Sequence, residues 1–133
     1  MGDREVRASL GLIADPASPA EARRFIRDIC NAADLGADVC EIAALLTSEL
    51  VTNAVKYGGS RATLDAAVPG GVLRVAIRDE NPALPVVGLR PNFEAEGGRG
   101  LQLVSALSYR WGVEATADGG KAVWFELEIP PED

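Results

Sequence analysis

Apolar residues recur along this chain with two different periods. From Val6 to Ile13 they alternate loosely with polar ones, the pattern of a strand with one covered face. Ala22, Phe25, Ile26, Ile29 and Cys30 then follow helical spacing. Ser18-Pro19-Ala20-Glu21 ahead of them fits a capping box, with Ser18 as N-cap, Pro19 at the first helical position and Glu21 at the third. This helix is predicted to run to about Ala33 and to break at Asp34-Leu35-Gly36. A second helix, from Asp38 to Tyr57, uses Val39, Ile42, Leu46, Leu50 and Ala54 and stops at Gly58-Gly59.

Beyond the glycine pair the period changes to two. Ala62 to Val68 and Val72 to Arg78 flank the turn Pro69-Gly70-Gly71, and Trp111 to Ala117 and Ala122 to Ile129 flank Asp118-Gly119-Gly120. Between these hairpins lie two further pieces. Residues 80–98 hold Pro82, Pro85, Pro91 and Gly88 without convincing periodicity, which suits a functional lid. From Arg99 to Tyr109, Leu101, Leu103, Val104 and Leu107 make a short helical stripe. Strands joined largely by hairpins, with helices segregated to one face, predict an α+β two-layer sandwich. The expectation is a mixed, mostly antiparallel sheet of about five strands with about three helices on one face, in a single domain spanning 1–133.

One stretch breaks the binary pattern. At about 100° per residue, Glu49 and Asn53 fall within the same arc of about 80° as Ile42, Leu46 and Tyr57. A carboxylate and a carboxamide turned inward cost several kcal/mol unless something polar meets them, so this turn of helix marks a site.

Bulk composition narrows what that site does. With 133 residues, 47% hydrophobic and 25% charged, the chain has the makings of one globular core. Twenty acids against 13 bases give a net charge of −7, the wrong balance for binding a phosphate backbone directly. No apolar run is long enough for a membrane span and no signal region follows Met1-Gly2-Asp3-Arg4-Glu5, so a cytoplasmic protein is expected. Cys30 and Cys40, inside apolar helical patterns with no second pair, read as buried free thiols rather than zinc ligands. Histidine is absent. That removes serine–histidine and cysteine–histidine catalysis, imidazole metal ligation and any internal phosphohistidine.

Two further features carry chemistry. Gly97-Gly98-Arg99-Gly100-Leu101 opens the third helix, where free backbone N–H groups and the positive end of the helix dipole favour an anion. Asp79 closes the apolar alternation of the strand from Val72. Neither a P-loop nor a Rossmann fingerprint is present. Taken in order, Glu-x3-Asn on a helix, Asp after a strand, Gly-x-Gly-Leu opening a helix and Gly120-Lys121-Ala122-Val123-Trp124-Phe125 on a closing strand resemble the Bergerat-fold ATP-binding family, which includes the gyrase, MutL and histidine-kinase ATP domains. The resemblance covers almost the whole chain. The short layout is similar to single-domain bacterial anti-sigma factors of the serine-protein-kinase type.

That resemblance implies ATP and Mg²⁺ as cofactors. It implies Asn53 as the Mg²⁺ ligand, Glu49 as general base, and Lys56 as a charge reaching a phosphate. Asp79 would accept from the adenine amino group. Backbone around Gly98, Gly100 and Leu101 would hold phosphates, with Arg99 and Lys121 as additional charges or solvated surface residues. The implied function is an ATP-binding regulator of the anti-sigma factor type that binds a sigma factor or similar partner and phosphorylates a serine or threonine of an anti-sigma factor antagonist. The alternative is a non-catalytic interaction module. A homodimer is expected on the same ground. Two departures stand out: Asp79-Glu80-Asn81-Pro82 lacks the family's glycines, and Lys121-Ala122 lacks its threonine, which predicts weakened ATP affinity.

Overall fold

The inward positions of the strands are apolar and the outward ones polar, and the sheet follows from that alternation. The structure, a computed structural model, describes residues 6–57, 61–80 and 99–130. They form β1 (Val6–Ile13), α1 (Ser18–Ala33), α2 (Ala37–Tyr57), β2 (Arg61–Val68), β3 (Val72–Asp79), α3 (Arg99–Leu107), β4 (Arg110–Ala115) and β5 (Lys121–Glu128). The sheet order is β1-β2-β3-β5-β4, and among the described residues every pairing is antiparallel rather than mixed. The two-layer α+β sandwich is as the sequence predicts. The expected Gly58-Gly59 stop and the lid over 81–98 lie outside the described residues.

Leu64, Leu73, Val75, Ile77 and Phe125 line the inner face of the sheet at 2% exposure or less, beneath Ile26, Leu46, Val51, Leu101 and Val104. Burying a side chain of this kind contributes about 1.5–3 kcal/mol, so this layer is the main source of stability. α1 and α2 pack against each other as a hairpin, and Arg23 of α1 donates to the Ser48 hydroxyl of α2 at 2.8 Å. Ile42, expected on the inner face of α2, is only half-buried. Among the described residues, no helix is long and apolar enough to cross a membrane.

The start of α1 differs from the expected capping box. Ala17 is the N-cap, and Ser18 is already helical and 1% exposed. Its hydroxyl donates back to the Ile13 carbonyl at 2.8 Å, while Asp15 accepts from the Ala17 amide at 2.7 Å. The tight chain reversal after β1 claims the serine for itself, which a helix-local motif cannot anticipate. At the other end Asp34 takes the left-handed conformation (φ 58°) that closes the helix, as the break there required.

The outer face is polar but ordered. The Trp124 indole lies against Gly112, where an added Cβ would meet the ring at 2.9 Å, and Arg74 stacks over it at 4.2 Å. Glu126, 7% exposed, ties Arg74 (2.9 Å) to Arg110 (3.1 Å).

Two predictions follow from the buried helical layer. Thr47 of α2 is fully buried, and its hydroxyl has no hydrogen-bond partner among the described residues. Replacement by the isosteric valine removes an unsatisfied group, so Thr47→Val should leave stability unchanged or raise it by about 1 kcal/mol in urea unfolding. Burial, reinforced by a hydrogen bond with Cys40, pushes the Cys30 thiol up to about 12. The native thiol keeps its proton above pH 9 while the unfolded one loses it, so this group stabilises the fold below pH 9 and less as pH rises towards 12. Urea midpoints of the wild type should therefore fall more steeply across that range than those of Cys30→Ala, and native Cys30 should resist alkylation at pH 8.

Candidate functional site

Chain direction gathers the marked residues at one end of the molecule. β2 begins, β3 ends and β5 begins in one cross-strand row, Ala62–Asp79–Lys121. α2 ends three residues before β2, a link that spans at most about 14 Å, so its last turns lie at this same end. α3 ends two residues before β4, and β4 starts opposite Glu126 at the far end of β5, so the last turn of α3 lies away from the Asp79 row.

Asp79 continues the inward parity of Leu73, Val75 and Ile77, so the alternation that builds the core also carries this carboxylate inside. Lys121 stands directly opposite on β5, its Nζ 2.9 Å from Asp79 Oδ1, with side chains 10% and 4% exposed. Lys121 is thus not a solvated surface residue. Desolvating two charges costs several kcal/mol apiece, and their attraction offsets this only with close geometry, which the 2.9 Å contact supplies. Gly120 makes the approach tight: a Cβ there would sit 2.0 Å from the Asp79 carbonyl oxygen. The β4–β5 turn is closed by Thr116, whose amide donates to Gly120 O and whose hydroxyl accepts from Gly120 N, both at 3.1 Å. Asp118 at the turn tip is held below the usual carboxylate range by the Thr116 hydroxyl and then the Gly120 amide.

Glu49 and Asn53 lie one turn apart on α2, about 6 Å along the axis, among the buried Leu46, Leu50 and Ala54. Both are half-buried, and neither is without a partner, as their inward placement requires. Leu101 of α3, 1% exposed, anchors that helix in the core. Its backbone belongs to the first turn, while its side chain packs rather than points to a ligand. Arg99 and Gly100 open α3, but their side-chain surroundings, like that of Lys56 and all of Gly98, lie outside the described residues. Among the described residues no three His, Cys, Asp or Glu side chains cluster as a metal cage. A Mg²⁺ that shares its shell with phosphates needs no such cage, and one protein oxygen such as Asn53's carboxamide suits it. An open cleft of ≈ 250 Å³ reaches Asp79 between Arg61, Thr63, Arg78, Thr116 and Asp118. Glu49 and Asn53 do not line it.

The Asp79–Lys121 pair is the feature that sequence reasoning missed. Its signal was present: opposite charges at the inward-parity positions that end β3 and begin β5. Starting β5 at Ala122 instead of Lys121 left the lysine in the turn and hid the pairing.

Comparisons with known proteins agree with this fold. No curated protein sequence matches the chain. Among solved structures, the chain containing the RsbU and RsbW domains of Rv1364c from Mycobacterium tuberculosis superposes with TM-score 0.73 at 19% identity, over 95% of this chain and 33% of that one. The histidine kinase domain of the Erythrobacter litoralis EL346 blue-light activated histidine kinase superposes with TM-score 0.52 at 22% identity, over 84% of this chain and 60% of that one. This chain thus spans about a third of the first structure and somewhat under two thirds of the second, and at these identities the likeness is one of fold. Residues 12–127 match the family model described as histidine kinase-like ATPase domain, a span from the end of β1 through nearly all of β5. The chain belongs to the histidine kinase-like ATPase domain family.

Proposed function

We propose that this domain binds Mg-ATP and works as a regulator of the anti-sigma factor type, phosphorylating a serine or threonine on an antagonist protein. The observation that carries the reading is the half-buried Glu49–Asn53 pair on α2, set at the same end of the fold as the buried Asp79 carboxylate. The donor set fits the nucleotide. Asp79 is an acceptor for an exocyclic amino group, Asn53 offers a hard oxygen to Mg²⁺, and the N-terminus of α3 favours phosphate.

Bound Mg-ATP supplies the transferable phosphoryl group. Glu49, one turn from the metal ligand, takes the proton of the attacking hydroxyl on its carboxylate. The resemblance gives Lys56 and Arg99 the role of charges for the phosphates. The regulatory assignment rests on the resemblance to single-domain anti-sigma factors, and the fold likeness to a chain carrying an RsbW domain supports it. A sigma factor and its antagonist are the corresponding partners. The non-catalytic alternative draws on the Asp79–Lys121 pair, because a carboxylate already engaged by an ammonium is a weaker acceptor for adenine.

A melt with Mg-ATP at about 100 times its dissociation constant should rise by several degrees, corresponding to about 2.7 kcal/mol, with Mg-GTP giving less. Asn53→Ala should lose most of that rise. A wild type that melts identically with and without millimolar Mg-ATP would sink the nucleotide reading. Glu49→Ala should keep the ATP-dependent rise and partner binding while phosphotransfer to the antagonist falls about 10²–10⁴-fold. Undiminished phosphotransfer would remove Glu49 as base, and regulation indifferent to the substitution would favour the non-catalytic module.

A further inference from the structure

The α1–α2 hairpin has its register fixed at two places. Arg23 bonds Ser48 at 2.8 Å, and Arg27 lies 3.8 Å from the Glu41 carboxylate. Continued towards the turn, that antiparallel register brings position 30 of α1 opposite position 40 of α2, and both are cysteines. The backbone of the turn is tied to the same two residues. The Leu35 amide donates to the Cys30 carbonyl at 3.0 Å, and the Cys40 amide donates to the Gly36 carbonyl at 3.2 Å. Asp34 (φ 58°) and Gly36 (φ 94°), both left-handed, make the reversal this short. The two thiols meet in a hydrogen bond. An open cleft of ≈ 330 Å³ at this end of the hairpin is lined by both cysteines together with Asn31, Leu35 and Gly36. A buried thiol packs as a small apolar group, which alanine or valine would do as well. Two thiols in contact beside a cleft also carry chemistry.

We propose that Cys30 and Cys40 form a dithiol site that hydrogen peroxide converts reversibly into a disulfide joining α1 to α2. The proposal stands apart from the nucleotide reading. A disulfide needs Cα atoms about 4.4–6.8 Å apart with converging side chains, and thiols already in contact across a hairpin start close to that arrangement. Cys40, 9% exposed against 0% for Cys30, meets the oxidant first. Its thiolate sulfur attacks one peroxide oxygen, the O–O bond breaks, and the other oxygen leaves as hydroxide, which takes up the thiol proton as water. Cys40 is then a sulfenic acid. The Cys30 sulfur attacks the sulfenic sulfur, the S–O bond breaks, and the departing hydroxide takes the Cys30 proton as a second water. The two thiols together lose two electrons and two protons, and the peroxide becomes two waters. Cys30 holds its proton until it resolves the sulfenic acid, in keeping with its burial. The bridge ties α1 to the helix that carries Glu49 and Asn53.

The test exposes the native full chain to hydrogen peroxide at neutral pH and follows the mass of the intact chain and of its unreduced peptides. The expected product is a monomer about 2 Da lighter with Cys30 linked to Cys40, both closed to maleimide after denaturation and both restored by dithiothreitol. The bridged chain should melt several degrees above the reduced one. In Cys30→Ala, dimedone should trap Cys40 as the sulfenic acid, while Cys30 in Cys40→Ala stays unlabelled. The wild-type mass shift needs no variant, so the test survives if either alanine protein folds poorly. Two free thiols after exposure overturn the proposal, as does a bridge between two chains in place of the internal one. Bridging that accelerates with sub-denaturing urea in step with global unfolding also overturns it, because the thiols would then meet oxidant only in the unfolded chain. A bridged chain that melts below the reduced one overturns it too, since the link would be distorting the hairpin instead of fitting it.

Discussion

The ladder between β3 and β5 is the constraint on which the rest of the domain depends. Its register sets which residues of β5 face the helices, and a slip of β5 by one residue would turn Val123, Phe125 and Leu127 out to solvent and bring Trp124 and Glu126 inside. With the register set, the core closes beneath α1 and α2, and the last inward row carries the Asp79–Lys121 pair to the open end. The same alternation that excludes water from the core delivers a carboxylate to the site. No separate device is needed to put it there.

The two faces of the sheet solve different problems. Inside, apolar area is removed from water by α1, α2 and α3. Outside, no helix covers the strands among the described residues, and order comes from side chains laid flat on the sheet: the Trp124 indole on Gly112, Arg74 over the indole, and Glu126 between two arginines. Arg78 and Asp65, 2.8 Å apart on β3 and β2, extend this layer, and the contact raises the arginine's proton affinity. Exposed ion pairs contribute little individually. Glu126 is different because it is 7% exposed and takes a bond from each arginine.

The marked residues sit on regular elements. α2 holds Glu49 and Asn53 on one helix, and the Asp79–Lys121 pair sits on two hydrogen-bonded strands. Proton transfer and metal ligation need fixed separations, which helices and strands supply better than loops. The family assignment, the one-turn spacing of Glu49 and Asn53 and the inward parity of Asp79 support one another because they rest on different physical facts.

Most of the architecture is legible in the residues themselves. Period-two alternation in β2, β3 and β5, helical spacing in α1 and α2, and glycine-bearing turns at 69–71 and 118–120 determine the elements, because each is enforced by local geometry and by the need to bury one face. The inward turn of Glu49 and Asn53 is legible for the same reason. What only the tertiary structure decided involves partners distant in sequence. Ser18 abandons the cap to bond Ile13. Gly120 must lack a side chain because the backbone of Asp79 lies against it. Lys121, 42 residues from Asp79, becomes a buried counter-charge rather than a solvated one. Local spacing encodes the face on which a residue lies; what waits across that face is set by sheet register, which no single segment contains.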